Sequence, residues 1–283
     1  MGLPLLPLVL ALAGGLPAAA PRGHLVLIGG GERPRAVMEK FVELAGGKEA
    51  GILVIPTASG EPDTGERYLQ EFTREYGCAR VAVLDIKERA GAARADYVAL
   101  VDQAGGVFFS GGDQRRITAA LLDTPVAEAI TRLYARGGVL GGTSAGTACM
   151  SPLMITGEGD FTVITAGNVE LARGLGYYAG AIVDQHFIAR QRQNRLFAAV
   201  LEYPELVRVG VDEATAVWVR PDHTFEVLGE GSVMVIDARA ATIARRPRPG
   251  KPHQLLGATG VRVHVLLPGQ TFQLRPPGRE IME

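Results

Sequence analysis

Seven short apolar runs recur along the first three quarters of the chain, each ending in glycine or a small polar residue. They are HLVLIGGG (24–31), ILVIPTAS (52–59), VAVLDI (81–86), GVFFSGGD (106–113), VLGGTS (139–144), AIVDQH (181–186) and LVRVGVDE (206–213). The runs are near-continuous rather than alternating, which is the pattern of strands covered on both faces. Between them lie segments with helical spacing. In DTPVAEAITRLYARGG, Asp123 or Thr124 can cap and Pro125 suits the first turn; Val126, Ile130 and Leu133 share a face, and Gly137 stops the helix. Strands alternating with helices predict an α/β fold on a doubly wound, mostly parallel sheet. After residue 213 the texture changes. TAVWVR, TFEVLGE, SVMVID, VRVHVLL and TFQLR alternate with turn residues, predicting an antiparallel β extension packed on the same core. The Pro-rich, basic stretch RRPRPGKPHQ (245–254) reads as a solvated surface loop.

Open α/β sheets bind ligands in the crevice outside the carboxyl ends of their strands. Six polar or glycine-rich clusters fall at such ends: Gly29-Gly30-Gly31, Pro56-Thr57-Ala58-Ser59, Gly111-Gly112-Asp113-Gln114, Ser144, Asp184-Gln185-His186 and Asp212-Glu213. If the strands are parallel, all six face one edge of the sheet. Ser144 sits in G-x-S-x-G, from Gly142 to Gly146, the pattern of a nucleophile elbow in which a sharp strand-to-helix turn exposes the serine hydroxyl.

A serine hydroxyl is a poor nucleophile at neutral pH and needs a base. Of five histidines, His24 starts the first strand, and His223, His253 and His264 lie in the β extension or its loops. His186 alone ends a core strand and is the candidate base. It needs an acceptor that fixes its tautomer and stabilises the imidazolium. Strand-end placement favours Glu213 or Asp212, with Glu213 preferred, over Glu158 and Asp160 in the loop after the elbow helix. The oxyanion of a tetrahedral intermediate would meet the Ala145 amide and a second amide from the Gly111-Gly112 turn, Gly112 being the candidate. Asp113 and Gln114 follow that turn, suited to cap a helix or to bind substrate. Arg190, Arg192 and Arg195 follow the base. Three arginines opening a helix run against its dipole, which suggests capture of carboxylates by guanidinium forks.

Composition narrows the remaining classes. The chain has 283 residues, 47% of them apolar, and a formal net charge of −1, so nothing global points to nucleic acid or an anionic membrane. The first 20 residues carry an apolar run and Ala18-Ala19-Ala20, predicting a cleaved signal peptide and a secreted or periplasmic protein. Residues 21–283 then form a single domain with its β-rich extension from about 214. The two cysteines, Cys78 and Cys149, match no metal-ligand spacing; Cys149 reads as a buried small hydrophobe, and no metal is expected. Gly29-Gly30-Gly31 runs into Glu32-Arg33-Pro34 and lacks G-x-G-x-x-G spacing, so no nucleotide cofactor is expected.

LIGGGE, ILVIPTAS, SGGDQ, GGTSAG, DQHF with its spaced arginines, and VDEATA together resemble the cyanophycinase family of serine peptidases, relatives of aspartyl dipeptidases, over residues 23 to about 237. The resemblance implies a flavodoxin-like core similar to class I glutamine amidotransferases, commonly as a homodimer. It implies Ser144 as nucleophile, His186 as base and Glu213 as the third member. Gln114, Asp184, Gln185, Arg190, Arg192 and Arg195 would form the substrate pocket, with Asp113 or Asp184 meeting guanidinium groups. The implied reaction is hydrolysis of cyanophycin, a poly-aspartate with arginine on each β-carboxyl, to β-aspartyl-arginine. Cleavage of aspartyl or isoaspartyl dipeptides by the same residues is the alternative. Arg33-Pro34 stands where the family commonly carries an acidic residue, and the last ~45 residues match less clearly.

Overall fold

The first five apolar runs form β1 (His24–Ile28), β2 (Gly51–Ile55), β3 (Arg80–Val83), β4 (Gly106–Phe109) and β5 (Val139–Thr143). They pair in parallel in the order β1-β5-β4-β2-β3. The computed structural model describes residues 22–158 and 162–274, so the leader predicted over 1–20 and the alternative acid Asp160 lie outside the described residues. Helices α1 (Arg35–Leu44), α2 (Thr64–Gln70), α3 (Ala95–Gln103), α4 (Gln114–Leu121), α5 (Pro125–Ala135), α6 (Ala145–Ala148) and α7 (Gln193–Glu202) complete the α component. A π-helical turn, Glu71–Glu75, extends α2. The cap of α5 is Thr124, whose Oγ1 accepts from Ala127 N at 3.3 Å, with Pro125 in the first turn.

Alternate residues along each strand enter different cores, which is why the runs are apolar throughout. Leu25 and Leu27 of β1 pack with Ile117, Val126, Ile130 and Leu133 of α4 and α5. Val26 and Ile28 turn the other way, onto Val37, Met38 and Phe41 of α1 and Phe72 after α2. The sheet is thus covered on both faces.

The later strands are the hairpin β6 (Leu153–Ile155) and β7 (Leu171–Arg173), then β8 (Ala181–Asp184), β9 (Val207–Val211), β10 (Thr215–Val219), β11 (Thr224–Gly229) and β12 (Val233–Asp237). The hairpin β13 (Thr242–Arg246) and β14 (Leu255–Thr259), then β15 (Arg262–Leu266) and β16 (Thr271–Gln273), follow. β10, β11 and β16 extend the main sheet antiparallel beyond β1. β8 and β9, expected in the main sheet, instead form a second sheet of order β15-β12-β9-β8. The place beside β1 is taken by β10, with Leu25 opposite Val219 and Ile28 opposite Ala216. The chain crosses from β9 to β10 at Asp212-Glu213-Ala214, where Ala214 has φ 50°. The two sheets still share apolar packing, because Val183, Val209 and Val211 belong to the same core as Leu25 and Val217. Cys78 and Cys149 are both buried and unbridged. No helix among the described residues is long and apolar enough to cross a membrane.

Candidate active site

β5 ends at Thr143 and α6 begins at Ala145, leaving Ser144 alone to turn the chain, at φ 53° and ψ −110°. A non-glycine residue holds such a backbone only where the surroundings impose it. Backbone contact imposes it here. A Cβ on Gly142 would lie 2.3 Å from Gly146 O, and one on Gly146 would lie 2.3 Å from Phe109 O. The turn is tied to β1 as well: Ser144 N donates to Ile28 O at 3.0 Å, and Thr147 Oγ1 donates to Ile28 O at 2.7 Å. The spacing of G-x-S-x-G therefore follows from how closely β4, β5 and α6 approach.

His186 follows β8, and its N–H donates to Gly29 O at 2.6 Å, joining the second sheet to the end of β1. Its imidazole stands against the glycine turn; a Cβ on Gly30 would lie 2.3 Å from the ring. His186 Nε2 is 2.9 Å from Ser144 Oγ, and Nδ1 is hydrogen-bonded to Glu213 Oε1. The imidazole is largely buried, whereas Glu213 is 40% exposed. Asp212, the other member of the DE pair, turns away. Its Oδ1 accepts from Ile188 N at 3.1 Å and Ala189 N at 3.0 Å, fixing the backbone just after His186. Burial holds the His186 pKa below its ordinary value, aided by the positive charges of Arg190 and Arg192 and opposed by Glu213. A neutral imidazole in this setting can take a proton from Ser144, and Glu213 can hold Nδ1–H toward itself.

The polar residues around His186 do not all face outward as expected. Asp184 and Arg195 are 1% and 2% exposed and pair with each other, Arg195 Nε donating to Asp184 Oδ2 at 2.7 Å and Nη2 to Oδ1. Gln185 is buried too, and Arg192 donates to its carbonyl at 2.8 Å and to its Oε1. Burial and the nearby Arg195 charge push the Arg192 pKa down to about 10. Asp184, Gln185, Arg192 and Arg195, expected to face substrate, bond to one another in a platform beside the base, and none of them lines the cleft at Ser144. A charge leaves water only with a partner, and these four supply each other. The helix starts at Gln193, so Arg190 lies in the preceding turns rather than on a helical face. Arg190 is exposed, and its guanidinium has no hydrogen-bond partner among the described residues. Of the three arginines it alone is open.

Asp113 and Gln114 are likewise engaged. Asp113 caps α4, accepting from Arg115 N at 2.9 Å, and pairs with the Arg115 guanidinium. Gln114 is buried, and its Nε2 donates to Ile155 O at 2.6 Å and Thr156 O at 3.1 Å, anchoring β6. The amides of Gly111, Gly112 and Ala145 have no acceptor among the described residues. A Cβ on Gly111 would lie 3.4 Å from Ser144 Cβ and 3.9 Å from its Oγ, whereas one on Gly112 would meet Ala58 O.

Ser144 opens into a cleft of about 320 Å³ whose walls include Gly30, Gly111, Arg33, Arg67, Tyr68 and Glu71. The last four were not singled out from sequence, although Arg33 departs from the expected acidic residue. A larger cavity of about 630 Å³ lies beyond Ser59, lined by Lys87, Arg89 and Arg116 among others. It contains no serine–histidine pair, so the chemistry belongs to the smaller cleft.

The model of peptidase family S51 matches residues 25–227. A cyanophycinase from Nostoc sp. is 39% identical over 261 residues, covering 90% of this chain and 87% of the relative. One from Geminocystis herdmanii is 36% identical over 256 residues, covering 89% and 93%. In fold, a peptidase from an acI-B1 Actinobacterium is similar with a TM-score of 0.68 at 23% identity, over 90% of this chain and 98% of that one. A putative peptidase E from Listeria monocytogenes reaches a TM-score of 0.51 at 18% identity, over 73% and 96%. With a family match from β1 into β11 and relatives this similar over nine-tenths of its length, the chain belongs to peptidase family S51, as a serine-type peptidase related to the cyanophycinases.

Proposed function

We propose that this peptidase degrades cyanophycin, the polymer named in its relatives, to β-aspartyl-arginine through an acyl-enzyme on Ser144. Ser144 Oγ attacks the carbonyl carbon of an aspartyl peptide bond while its proton passes to His186 Nε2. Glu213 accepts Nδ1–H and stabilises the imidazolium that forms. The oxyanion is received by the amides of Ala145 and of the Gly111-Gly112 turn. As the intermediate collapses, His186 delivers the proton to the leaving amine, and the acyl group stays on Ser144 as an ester. Water then attacks the ester, giving its proton to His186, and Ser144 recovers a proton as the acid leaves.

One observation carries this reading: a hydroxyl on a forced turn lies 2.9 Å from an imidazole whose far nitrogen meets a carboxylate. The open guanidinium of Arg190 beside the base suits a substrate with a carboxylate on every arginyl branch. Purified protein is expected to release β-Asp-Arg from cyanophycin granules, and Ser144→Ala to abolish release. Full activity in that variant would overturn the mechanism. An intact polymer with cleaved aspartyl dipeptides would leave the dipeptidase reading, which the relatives do not favour.

We also propose export, on the apolar leader; N-terminal sequencing of secreted material tests it, and an intact Met1 overturns it. Dimerisation is proposed on the exposed Val263, Val265 and Leu267 at the β15 edge. A monomer in sedimentation would overturn it.

A further inference from the structure

One wall of the cleft at Ser144 is built from charged residues that the proposed mechanism leaves unused. Arg33, just past the glycine turn, meets Glu71 through two bonds, Nε to Oε1 at 3.2 Å and Nη2 to Oε2 at 2.5 Å. The guanidinium also lies over the ring of Tyr68, 4.7 Å from its centroid, and Tyr68 is buried. Fork and ring together hold the Arg33 plane in one orientation. Glu71 is the first residue of the π-helical turn that extends α2, a departure from α-helix found frequently at functional sites.

Charge on this wall decides what it can hold. Both Glu71 oxygens are taken by Arg33, so that carboxylate is not open to a substrate cation. Arg33 Nη1 has no acceptor among the described residues. Arg67 lines the same cleft at 61% side-chain exposure, while its partner Asp63 does not line it. The lining thus carries two guanidinium groups against one carboxylate, with donors left open. Arg190 is not part of this wall.

We propose that Arg33 and Arg67 form a second carboxylate subsite, which holds the free carboxylate of an arginyl branch on a unit next to the scissile bond. The proposal rests on the cyanophycin reading and deepens it. A polymer bearing a carboxylate on each unit fills this subsite and meets Arg190 at once; a dipeptide lacks the second unit. The subsite therefore favours chains over dipeptides through KM rather than through the chemical step.

The test uses soluble (β-Asp-Arg)3 and three analogues, each with one arginyl carboxylate amidated. With wild-type enzyme, amidation at one particular unit is expected to raise KM about tenfold, the loss of one charge-assisted contact. Arg33→Gln is expected to raise KM for the unmodified trimer by a similar factor, with the loss in KM rather than kcat, and to erase the effect of that amidation. Arg67→Gln should do the same to a smaller degree. KM values within twofold of wild type in both variants, or an amidation effect that persists in them, would overturn the subsite. Should Arg33→Gln misfold for want of a partner for Glu71, the exposed Arg67→Gln decides alone. If wild type leaves the trimer uncut, the cyanophycin reading has failed, and the subsite is then read separately. Poly-L-aspartate should bind Ser144→Ala more tightly than Ser144→Ala/Arg67→Gln, and equal affinities would overturn the subsite.

Discussion

The turn carrying Ser144 is held by backbone packed on backbone, with Gly142 against Gly146 and Gly146 against Phe109. The segment carrying His186 is held by side-chain charge: Asp184 with Arg195 beneath it, Arg192 on Gln185 beside it, and Asp212 on the amides that follow. The first region tolerates no added atom, because its neighbours are main chain and cannot move aside. The second depends on paired charges, so the loss of one leaves its partner uncompensated. A nucleophile needs an exact backbone angle, which steric contact supplies; a base needs a fixed ring and a controlled field, which paired charges supply.

Substitutions separate the two kinds of support. The largest effect is expected where the regions meet. Glu213→Gln keeps the shape but offers His186 the wrong hydrogen-bond partner, so kcat should fall by about 10⁴-fold with little change in Tm, as steady-state kinetics and thermal unfolding would register. Next comes the charged platform. Arg195→Ala removes the two-bond partner of buried Asp184, leaving it Gln185 N at 2.9 Å and Arg192 at 3.8 Å, and should cost about 3 kcal/mol of stability by denaturant unfolding. Arg195→Lys should restore only part, since an ammonium cannot make both bonds to the carboxylate. In the backbone-held region, Gly146→Ala should cost about 1–3 kcal/mol and reduce kcat, because the new methyl must displace Phe109 O. If Gly146→Ala left kcat and stability unchanged, backbone contact would not be what forces the Ser144 turn.

The smallest expected effect concerns pH. The base role proposed for His186 requires a neutral ring, and burial holds its pKa below the ordinary value. The acid limb of kcat/KM should therefore have its midpoint below about 6.5, the usual histidine value. Arg190 is a positive charge that disfavours protonation of the ring. Arg190→Gln should move the midpoint upward, and a downward move would contradict the assigned field.

The difference between the two regions also explains what could be read from sequence. G-x-S-x-G was legible because its two glycines keep a fixed spacing around Ser144, although only Gly142 is pressed from within the motif and Gly146 is pressed by Phe109 of β4. His186 and Glu213 were reachable because both end apolar strands, and elimination left one histidine. Glu213 rather than Asp212 depended on which way each side chain turns after β9, which sequence position does not fix. The inward faces of Asp184, Gln185, Gln114 and Arg195 were not legible: a polar residue at a strand end looks the same whether it meets solvent or a buried partner eleven residues away. The second sheet was hidden for a similar reason, since β8 and β9 carry the same apolar signature as main-sheet strands, and only the pairing of β10 with β1 excludes them. Arg33 and Glu71, 38 residues apart, form a pair that no local pattern announces.

In the proposed mechanism the forced turn and the charged platform together make Ser144 the nucleophile. Treatment with a serine-reactive sulfonyl fluoride, followed by peptide mapping, tests it most directly. One sulfonyl group per chain on Ser144 is predicted, with loss of activity in proportion and a much slower reaction in His186→Ala. Inactivation with the label on any other residue, or equal labelling of Ser144 without His186, would contradict it.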